Sequence, residues 1–339
     1  MASLSPSRGP LVALLSVVVV LGVSGCTGLD FLGWGQSSGG TGPGVAILDF
    51  LPDFDDVFSG ESVRFQLRVQ NQGEVRARNV VAELTGIDVS EWGMLGGTFT
   101  SKQLGDLLPY DPVTNIPGEI ESATFTNLHA PSISKGLQHT YTPRVRVSYD
   151  YATVAQKPIT VVDAEELTNI KQRGGTLPSK VTTYTQGPLA VEITMQDYKK
   201  TSGVGIFGDS YDIFPVHIKI TNLLHSSGGN VIQKTAFGGA GGYGIFDTAT
   251  HPVTVKIEPP SGTQFVYSSF GDDCSSFSVP VDLFQGRDAD ITCELVITNP
   301  PIIQEERILK VELDYRYYVD AVTQIQVSGN KDPGSLFPF

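Results

Sequence analysis

Apolar and polar residues alternate along most of this chain, and the alternation predicts β-strands. Residues 63–69, 253–257 and 310–315 each place apolar side chains on one face and polar side chains on the other. This period of two is typical of a strand with one buried side. Gly, Pro, Asn and Asp separate the runs, and these residues favour turns. The pattern predicts an all-β protein made of antiparallel sheets.

One stretch has a different pattern and predicts a helix. It runs from Ala164 to Arg173, with Asp163 placed to accept hydrogen bonds at its N-terminus. Gly174 and Gly175 follow it and are suited to end a helix. Because the stretch lies near the middle of the chain, we expect it in a linker between two domains.

Part of the strand pattern occurs twice. Tyr149 and Tyr151 recur 166 positions later as Tyr315 and Tyr317. Asn71, at the end of an alternating run, recurs 151 positions later as Asn222, and the turn at residues 117–118 recurs at 285–286. Several matches in the same order favour a duplication. We therefore predict two tandem antiparallel immunoglobulin-like β-sandwich domains, each a little larger than a simple module of this type.

These patterns divide the chain into six segments. They are a signal peptide at 1–25, a flexible tether at 26–44, a first sandwich at 45–163, a helix and linker at 164–187, a second sandwich with long loop insertions at 188–329, and a tail at 330–339.

The N-terminal region predicts export. An apolar run from Leu11 to Val23 has the length of a signal-peptide core and is too short to cross a bilayer comfortably. The run ends in a short motif at residues 23–26 that resembles the lipobox of prokaryotic lipoproteins, which implies cleavage before Cys26 and lipidation of its thiol. A plain secretory signal or an uncleaved anchor is the alternative. The Gly- and Ser-rich residues that follow predict a flexible tether.

Charge and cysteine content restrict the setting. The net charge of −13 argues against nucleic acid as a partner, because nucleic-acid binding needs clustered Lys and Arg. If Cys26 carries lipid, Cys274 and Cys293 remain as a pair. A pair in an exported domain predicts a disulfide, with two buried free thiols as the alternative.

A family resemblance rests on residues 60–73 and 77–84. The first range contains Gly60-Glu61 and ends in Asn71-Gln72-Gly73, and the second begins Ala77-Arg78-Asn79-Val80. This order is similar to CARDB-like and archaeal S-layer-associated β-sandwich domains. The resemblance implies non-catalytic surface domains that act in adhesion or envelope architecture. We expect Asn71 and Gly73 to form a hairpin turn with positive φ, from which the next strand returns antiparallel.

Candidate chemistry is sparse in the sequence. No base and nucleophile occur in a catalytic pattern, so we expect no enzyme activity and no organic cofactor. Asp53, Asp55 and Asp56 cluster in one predicted turn. Carboxylates at this spacing can hold a structural Ca²⁺, although solvated turn carboxylates are the alternative.

Two long loops of the second sandwich are candidate contact sites. They contain the apolar residues Ile206, Phe207, Tyr243, Ile245 and Phe246 among glycines. Function is often found on such loops, although they can instead cover a sheet edge. We expect a structural or adhesive lipoprotein on the outer face of the cell membrane, with a protein partner or self-association. A carbohydrate- or Ca²⁺-binding module that uses these loops is the alternative.

Overall fold

A computed structural model describes residues 43–329, except for 89, 94–99, 179, 197, 202–212, 233–250, 267–273, 275–277 and 300. The described residues form one α-helix and the following strands: β1 Val45–Pro52, β2 Asp56–Phe58, β3 Ser62–Asn71, β4 Ala77–Thr85, β5 Ser101–Leu107, β6 Ile120–His129, β7 Gln138–Tyr141, β8 Arg144–Asp163, β9 Thr183–Tyr184, β10 Leu189–Thr194, β11 Tyr198–Thr201, β12 Ile213–Asn222, β13 Asn230–Ile232, β14 Pro252–Glu258, β15 Thr263–Phe265, β16 Val279–Asp282, β17 Asp288–Ile297, β18 Gln304–Val322 and β19 Ile325–Ser328. The predicted all-β class is confirmed.

The strands fall into two copies of one arrangement. We call β1 to β8 copy 1 and β10 to β19 copy 2. One sheet of copy 1 has the order β1-β3-β6, and the corresponding sheet of copy 2 has the order β10-β12-β17-β15. The second layer of both copies belongs to a single sheet that contains β16-β14-β18-β8-β4-β5. Apolar residues of alternating position line the space between the layers, so each copy is an antiparallel sandwich.

The two copies are joined through the longest strands of the protein. All 19 residues of β18 pair antiparallel with β8, from Gln304 opposite Val162 to Val322 opposite Arg144. Every second residue of both strands is buried along most of this length. The copies therefore share a continuous sheet and a continuous apolar core.

At the end of each long strand, or directly after it, the chain pairs with strands of the other copy. The strand β19 of copy 2 pairs antiparallel with β7 and parallel with β2, both of copy 1. In the same way, the last residues of β8 pair with β11 of copy 2, with Thr160 opposite Tyr198. The two copies thus exchange strands and interlock.

The register of the long strands has twofold pseudo-symmetry. Tyr149 pairs with Tyr317, and Tyr151 pairs with Tyr315. These are the residues that repeat in the sequence, so equivalent residues exchange partners across the pair. The pseudo-symmetry axis passes through the pair formed by Asp150 and Arg316, which lie between the tyrosines.

The predicted helix is confirmed and spans Ala164–Gln172, which we label α1. The Asp163 carboxylate accepts a hydrogen bond of 2.8 Å from the backbone N–H of Glu165, as an N-cap residue does. The helix ends one residue earlier than predicted. Gly174 follows with φ of +74°, a conformation that costs glycine least.

The prediction of a hairpin turn at Asn71 and Gly73 is wrong. The strands β3 and β4 belong to different sheets, so the chain turns a corner between the two layers instead of returning beside itself. Gly73 is needed there for close approach, because a Cβ at this position would lie 2.0 Å from the Tyr151 hydroxyl oxygen. Gly73 does not have the positive φ that the prediction required.

Candidate functional site

Several predicted site residues lie outside the described part of the chain. Cys26 belongs to the first 42 residues, and the loop residues Ile206, Phe207, Tyr243, Ile245 and Phe246 fall within 202–212 and 233–250. Their predicted roles stay predictions. No helix among the described residues is long and apolar enough to cross a membrane.

In the acidic turn of copy 1, the Asp53 carboxylate is engaged by neighbouring side chains. The Asp53 carboxylate lies 2.6 Å from Nε of Arg64 and also accepts a hydrogen bond from the Gln66 side chain. The backbone carbonyl of Asp55 accepts a hydrogen bond from Gln326, and Asp56 begins β2. Within the described ranges, no group of three acidic, His or Cys residues is arranged to hold a metal ion.

The predicted cysteine pair forms a disulfide in the structure. The Cα atoms of Cys274 and Cys293 are 5.7 Å apart, and both residues are buried. Cys293 lies on β17, which is paired with β12 and β15. The bond ties the segment before β16 to one layer of copy 2.

Four buried tyrosines lie side by side on β8 and β18, and we call them the tyrosine cluster: Tyr149, Tyr151, Tyr315 and Tyr317. Neighbouring ring centroids are 5.9 to 6.3 Å apart, at angles between 51° and 84°. Such tilted and edge-to-face contacts add to the stabilisation that comes from burying the rings. The cluster lies on β8 and β18, so it joins the two copies.

Each hydroxyl of the tyrosine cluster has a specific partner. Tyr149 Oη accepts from the backbone N–H of Val45 at 3.2 Å. Tyr151 Oη accepts from Val75 N–H at 3.1 Å and donates to the Gln186 carbonyl at 3.0 Å. Tyr315 Oη lies 2.8 Å from Thr153 Oγ1, and Tyr317 Oη donates to Asn222 Oδ1 at 2.6 Å. The cluster is therefore satisfied internally, as buried polar groups usually are.

Burial shifts the ionisation of these phenols. Loss of solvation raises the pKa of Tyr149 and of Tyr315 well above the ordinary value of 10.0. Burial also raises the pKa of Tyr151 and of Tyr317, and the hydrogen bond that Tyr151 Oη accepts from Val75 N–H opposes the shift at Tyr151. All four phenols are neutral near neutral pH and act as hydrogen-bonding anchors.

Two buried asparagines fix the corners between the layers. The amide of Asn71 donates to the carbonyls of Val75 and Leu107, and its Oδ1 accepts from Gly73 N–H. Asn222 repeats this arrangement in copy 2: its amide donates to the carbonyls of Gly229 and Gly286, and its Oδ1 accepts from Leu224 N–H. The residues that repeat in the sequence thus bond the same parts of each sandwich.

A groove of about 550 Å³ opens beside the corner of copy 1, and we call it the amide groove. It is lined by four side-chain amides, a tyrosine ring and two prolines: Gln70, Gln72, Asn115, Gln186, Tyr110, Pro43 and Pro117. Gln70 and Gln72 flank the buried Asn71, the last residue of β3, and both are partly exposed.

The connection between β5 and β6 builds one wall of the amide groove. Its Asp111 carboxylate accepts from Val113 N–H at 2.9 Å, and Asp111 N–H donates to the Ile116 carbonyl at 3.0 Å. Tyr110 Oη donates to Asn115 Oδ1 at 2.7 Å, and Tyr110 N–H donates to the Gly73 carbonyl. These bonds hold the wall in one conformation and orient the Asn115 amide.

In copy 2, the connection that corresponds to the one between β5 and β6 is shorter. Residues 283–287 join β16 to β17 in a short turn, in which Gly286 N–H donates to the Leu283 carbonyl. Copy 1 has the longer connection 108–119 at this place. The amide groove therefore belongs to a part of the molecule where the two copies differ.

Two carboxylates near the amide groove accept hydrogen bonds from backbone N–H groups. The Glu74 carboxylate accepts from Gln186 N–H at 2.9 Å, and the Glu119 carboxylate accepts from Leu108 N–H at 2.8 Å. The described residues that line the groove carry no charge. Sequence reasoning missed this site because its residues come from four distant segments. The sequence did contain one signal of this site, because the connection 108–119 of copy 1 is longer than the corresponding connection 283–287 of copy 2.

The fold and the tyrosine cluster define a class, a duplicated antiparallel β-sandwich whose two copies share one sheet. No family model matches the chain, and no curated protein matches it. A solved structure with similarity to it is the sporulation control protein Spo0M from Bacillus subtilis, at 10% identity and a TM-score of 0.18, covering 72% of this chain and 90% of that one. A similarity this low supports no inference about function.

Proposed function

We propose that this chain is a non-catalytic lipoprotein, anchored through Cys26 to the outer face of the cell membrane. Its two β-sandwiches present surfaces to a protein partner or to another component of the cell envelope. The composition after Cys26 predicts a tether, which would give the folded part reach.

The observation that carries the proposal is the strand exchange between the copies. A long antiparallel pair between β8 and β18 ties the two sandwiches into one body. Two further strands of copy 2 add to it, because β19 pairs with β2 and β7 of copy 1 and β11 pairs with β8 of copy 1. A rigid body keeps its exposed loops at fixed separations, which suits a scaffold that engages a large partner. The polar groups of the tyrosine cluster serve the scaffold, because each bonds to backbone or to a neighbouring buried side chain.

Cysteine usage supports the cellular location in the proposal. Disulfides persist mainly in proteins that leave the cytoplasm. Cys274 and Cys293 are bonded to each other, which leaves Cys26 as the third cysteine of the chain. A single remaining cysteine at the end of a signal-like run is what lipid attachment requires.

The anchor is tested in the cells that produce the protein. The mature N-terminal peptide is isolated, and its mass is measured for the native chain and for Cys26→Ser. We expect a lipid-modified Cys26 and recovery in the membrane fraction, with Cys26→Ser released in soluble form. An unmodified thiol at Cys26, or equal membrane recovery of both chains, would contradict the anchor.

The presentation role is tested by cross-linking mass spectrometry on intact membranes. Residues 205–207 and 243–246 are replaced by Gly-Ser in one variant. A matched control replaces Ile302 and Ile303, which are apolar and 95% and 60% exposed. We expect specific cross-linked partners that the control retains and the loop variant loses. Absence of specific partners of the native chain would contradict the role, and retention by the loop variant would place the contact elsewhere on the body.

A further inference from the structure

We propose that the amide groove of copy 1 is a binding site for a neutral saccharide. The inference goes beyond the proposed function, since it concerns neither the anchor nor the long loops of copy 2. It depends on the geometry of residues 70–72, 110–118 and 186.

The chemistry of the lining favours a ligand rich in hydroxyl groups. A side-chain amide offers both donors and an acceptor, and a sugar hydroxyl is also both. Asn115 uses its oxygen to accept from Tyr110, and this leaves the orientation of its N–H₂ group fixed. Gln70 donates to the Gly118 carbonyl, which fixes its side chain in turn. Within the described chain, the Gln72 and Gln186 side chains make no hydrogen bond, so they are free for a ligand.

The groove also offers apolar surface on which a sugar ring can pack. The Tyr110 ring and the prolines Pro43 and Pro117 line the same groove as the amides. The C–H face of a pyranose packs on such surfaces while its hydroxyls reach polar groups at the edge. The volume of about 550 Å³ lies within the range of sites for small ligands.

The described lining carries no charge, which favours a neutral saccharide over a charged ligand. An anion would be expected to meet Lys, Arg or a free backbone nest, and a cation would be expected to meet carboxylates. The nearby carboxylates of Glu74 and Glu119 instead accept backbone hydrogen bonds. A proline-rich peptide is recognised mainly by aromatic grooves, whereas a single aromatic ring and four amides line this one.

The site is rigid before any ligand arrives. Asp111, Asn115 and Gly118 hold the wall through backbone and side-chain hydrogen bonds, and Asn115 has φ of +56°. Ordering of the wall therefore adds little to the cost of binding, which is the advantage of a preorganised site.

The test uses the purified full chain and saturation-transfer NMR. The probes are glucose, galactose, mannose, N-acetylglucosamine, maltose, lactose and chitobiose, with glucuronic acid and a proline-rich peptide as the other classes. The test variant is Gln72→Ala with Gln186→Ala. The matched control is Gln156→Ala with Gln264→Ala, which removes two exposed amides on other strands. Each single variant and its melting temperature are measured as well.

We expect saturation transfer to at least one neutral sugar. Its affinity should fall about fivefold or more for each groove amide removed, the effect of losing one hydrogen bond, and should stay unchanged in the control. No transfer to any neutral sugar would overturn the proposal, as would transfer that the groove variants leave intact. Preferred binding of glucuronic acid or of the peptide at the same residues would also overturn it. If the double variant unfolds, the single variant Gln186→Ala decides, because its side chain is exposed.

Discussion

Asp150 and Arg316 lie opposite each other at the pseudo-symmetry axis, with Arg316 Nη1 3.1 Å from Asp150 Oδ1. They are equivalent positions of the two copies, because 166 residues separate them, as for the repeated tyrosines. If the two copies were identical here, two like charges would face each other. The pair of opposite charges therefore favours pairing of copy 1 with copy 2 over pairing of either copy with itself.

Reversal of one charge at the axis should destabilise the protein, and reversal of both should restore much of the loss. Both side chains are largely buried, at 11% and 18% exposure. We expect Arg316→Asp to lower the free energy of unfolding by about 3 kcal/mol, since it leaves two carboxylates facing each other. The exchanged variant, Asp150→Arg with Arg316→Asp, should regain at least about half of that loss. Urea unfolding measures both.

The exchanged variant also loses two side contacts. Asp150 accepts from Asn79, and Arg316 donates to Ser148. Full recovery is therefore not expected. If the exchanged variant were less stable than Arg316→Asp alone, the ion pair could not be what orients the two copies.

Substitution of Gly73 should destabilise the corner of copy 1, chiefly through its closest contact. In Gly73→Ala, the new Cβ would lie 2.0 Å from Tyr151 Oη, so one of the two groups must move. We expect a loss of about 2–3 kcal/mol in the free energy of unfolding. In a Tyr151→Phe background the oxygen is absent, and the cost of Gly73→Ala should shrink by about 1 kcal/mol.

Gly60 provides the control for this cycle. It has φ of +81°, and a Cβ there would meet no atom within 4 Å, so Gly60→Ala is disfavoured by backbone conformation alone. Its cost should be equal in both backgrounds. An equal cost of Gly73→Ala in both backgrounds would show that close approach of Tyr151 is not the reason for the glycine.

Reduction of the disulfide should weaken copy 2. Cys274 and Cys293 are separated by 19 residues, and a closed loop of this length contributes about 3 kcal/mol in the chain-entropy model. We expect a lower urea midpoint in reductant for a Cys26→Ser chain, in which these are the cysteines that remain. The variant that also carries Cys274→Ser and Cys293→Ser should be indifferent to reductant. Equal midpoints of the Cys26→Ser chain with and without reductant would contradict a stabilising bond.

Alkaline pH should unfold the protein through the tyrosine cluster. The pKa of Tyr149 and of Tyr315 is raised well above 10.0 by burial, while the phenols of the unfolded chain keep the ordinary value. The folded state therefore holds protons that the unfolded state releases, so the stability that this provides is complete below about pH 10 and is lost as the pH rises further. Phenolate absorbance and circular dichroism, followed together, measure the effect.

We expect the buried phenols to ionise only together with loss of the β-sheet signal. The chain in concentrated urea is the reference, because all its phenols should ionise in one step near pH 10. If the folded chain reached the same absorbance at the same pH with an unchanged circular dichroism spectrum, the cluster would be open to solvent.

The sequence by itself determined the local structure of the protein. The alternation in β3, β14 and β18 and the capped helix after Asp163 are each encoded within a short segment, and the repeat follows from comparing such segments with one another. Strand periodicity needs only the separation of apolar from polar side chains, and a helix cap needs only neighbouring residues. Such features can be predicted without knowledge of distant contacts.

The tertiary structure alone decided which strands meet and where the groove lies. Nothing within residues 62–85 distinguishes a hairpin from a corner, because the choice depends on the pairing of β4 with β8 far along the chain. Gly73 could be explained only once Tyr151 was in place, and the amide groove only once Gln72, Tyr110 and Gln186 came together. The exchange of strands between the copies has the same origin. It depends on interactions between residues more than a hundred positions apart, and no local pattern encodes such interactions.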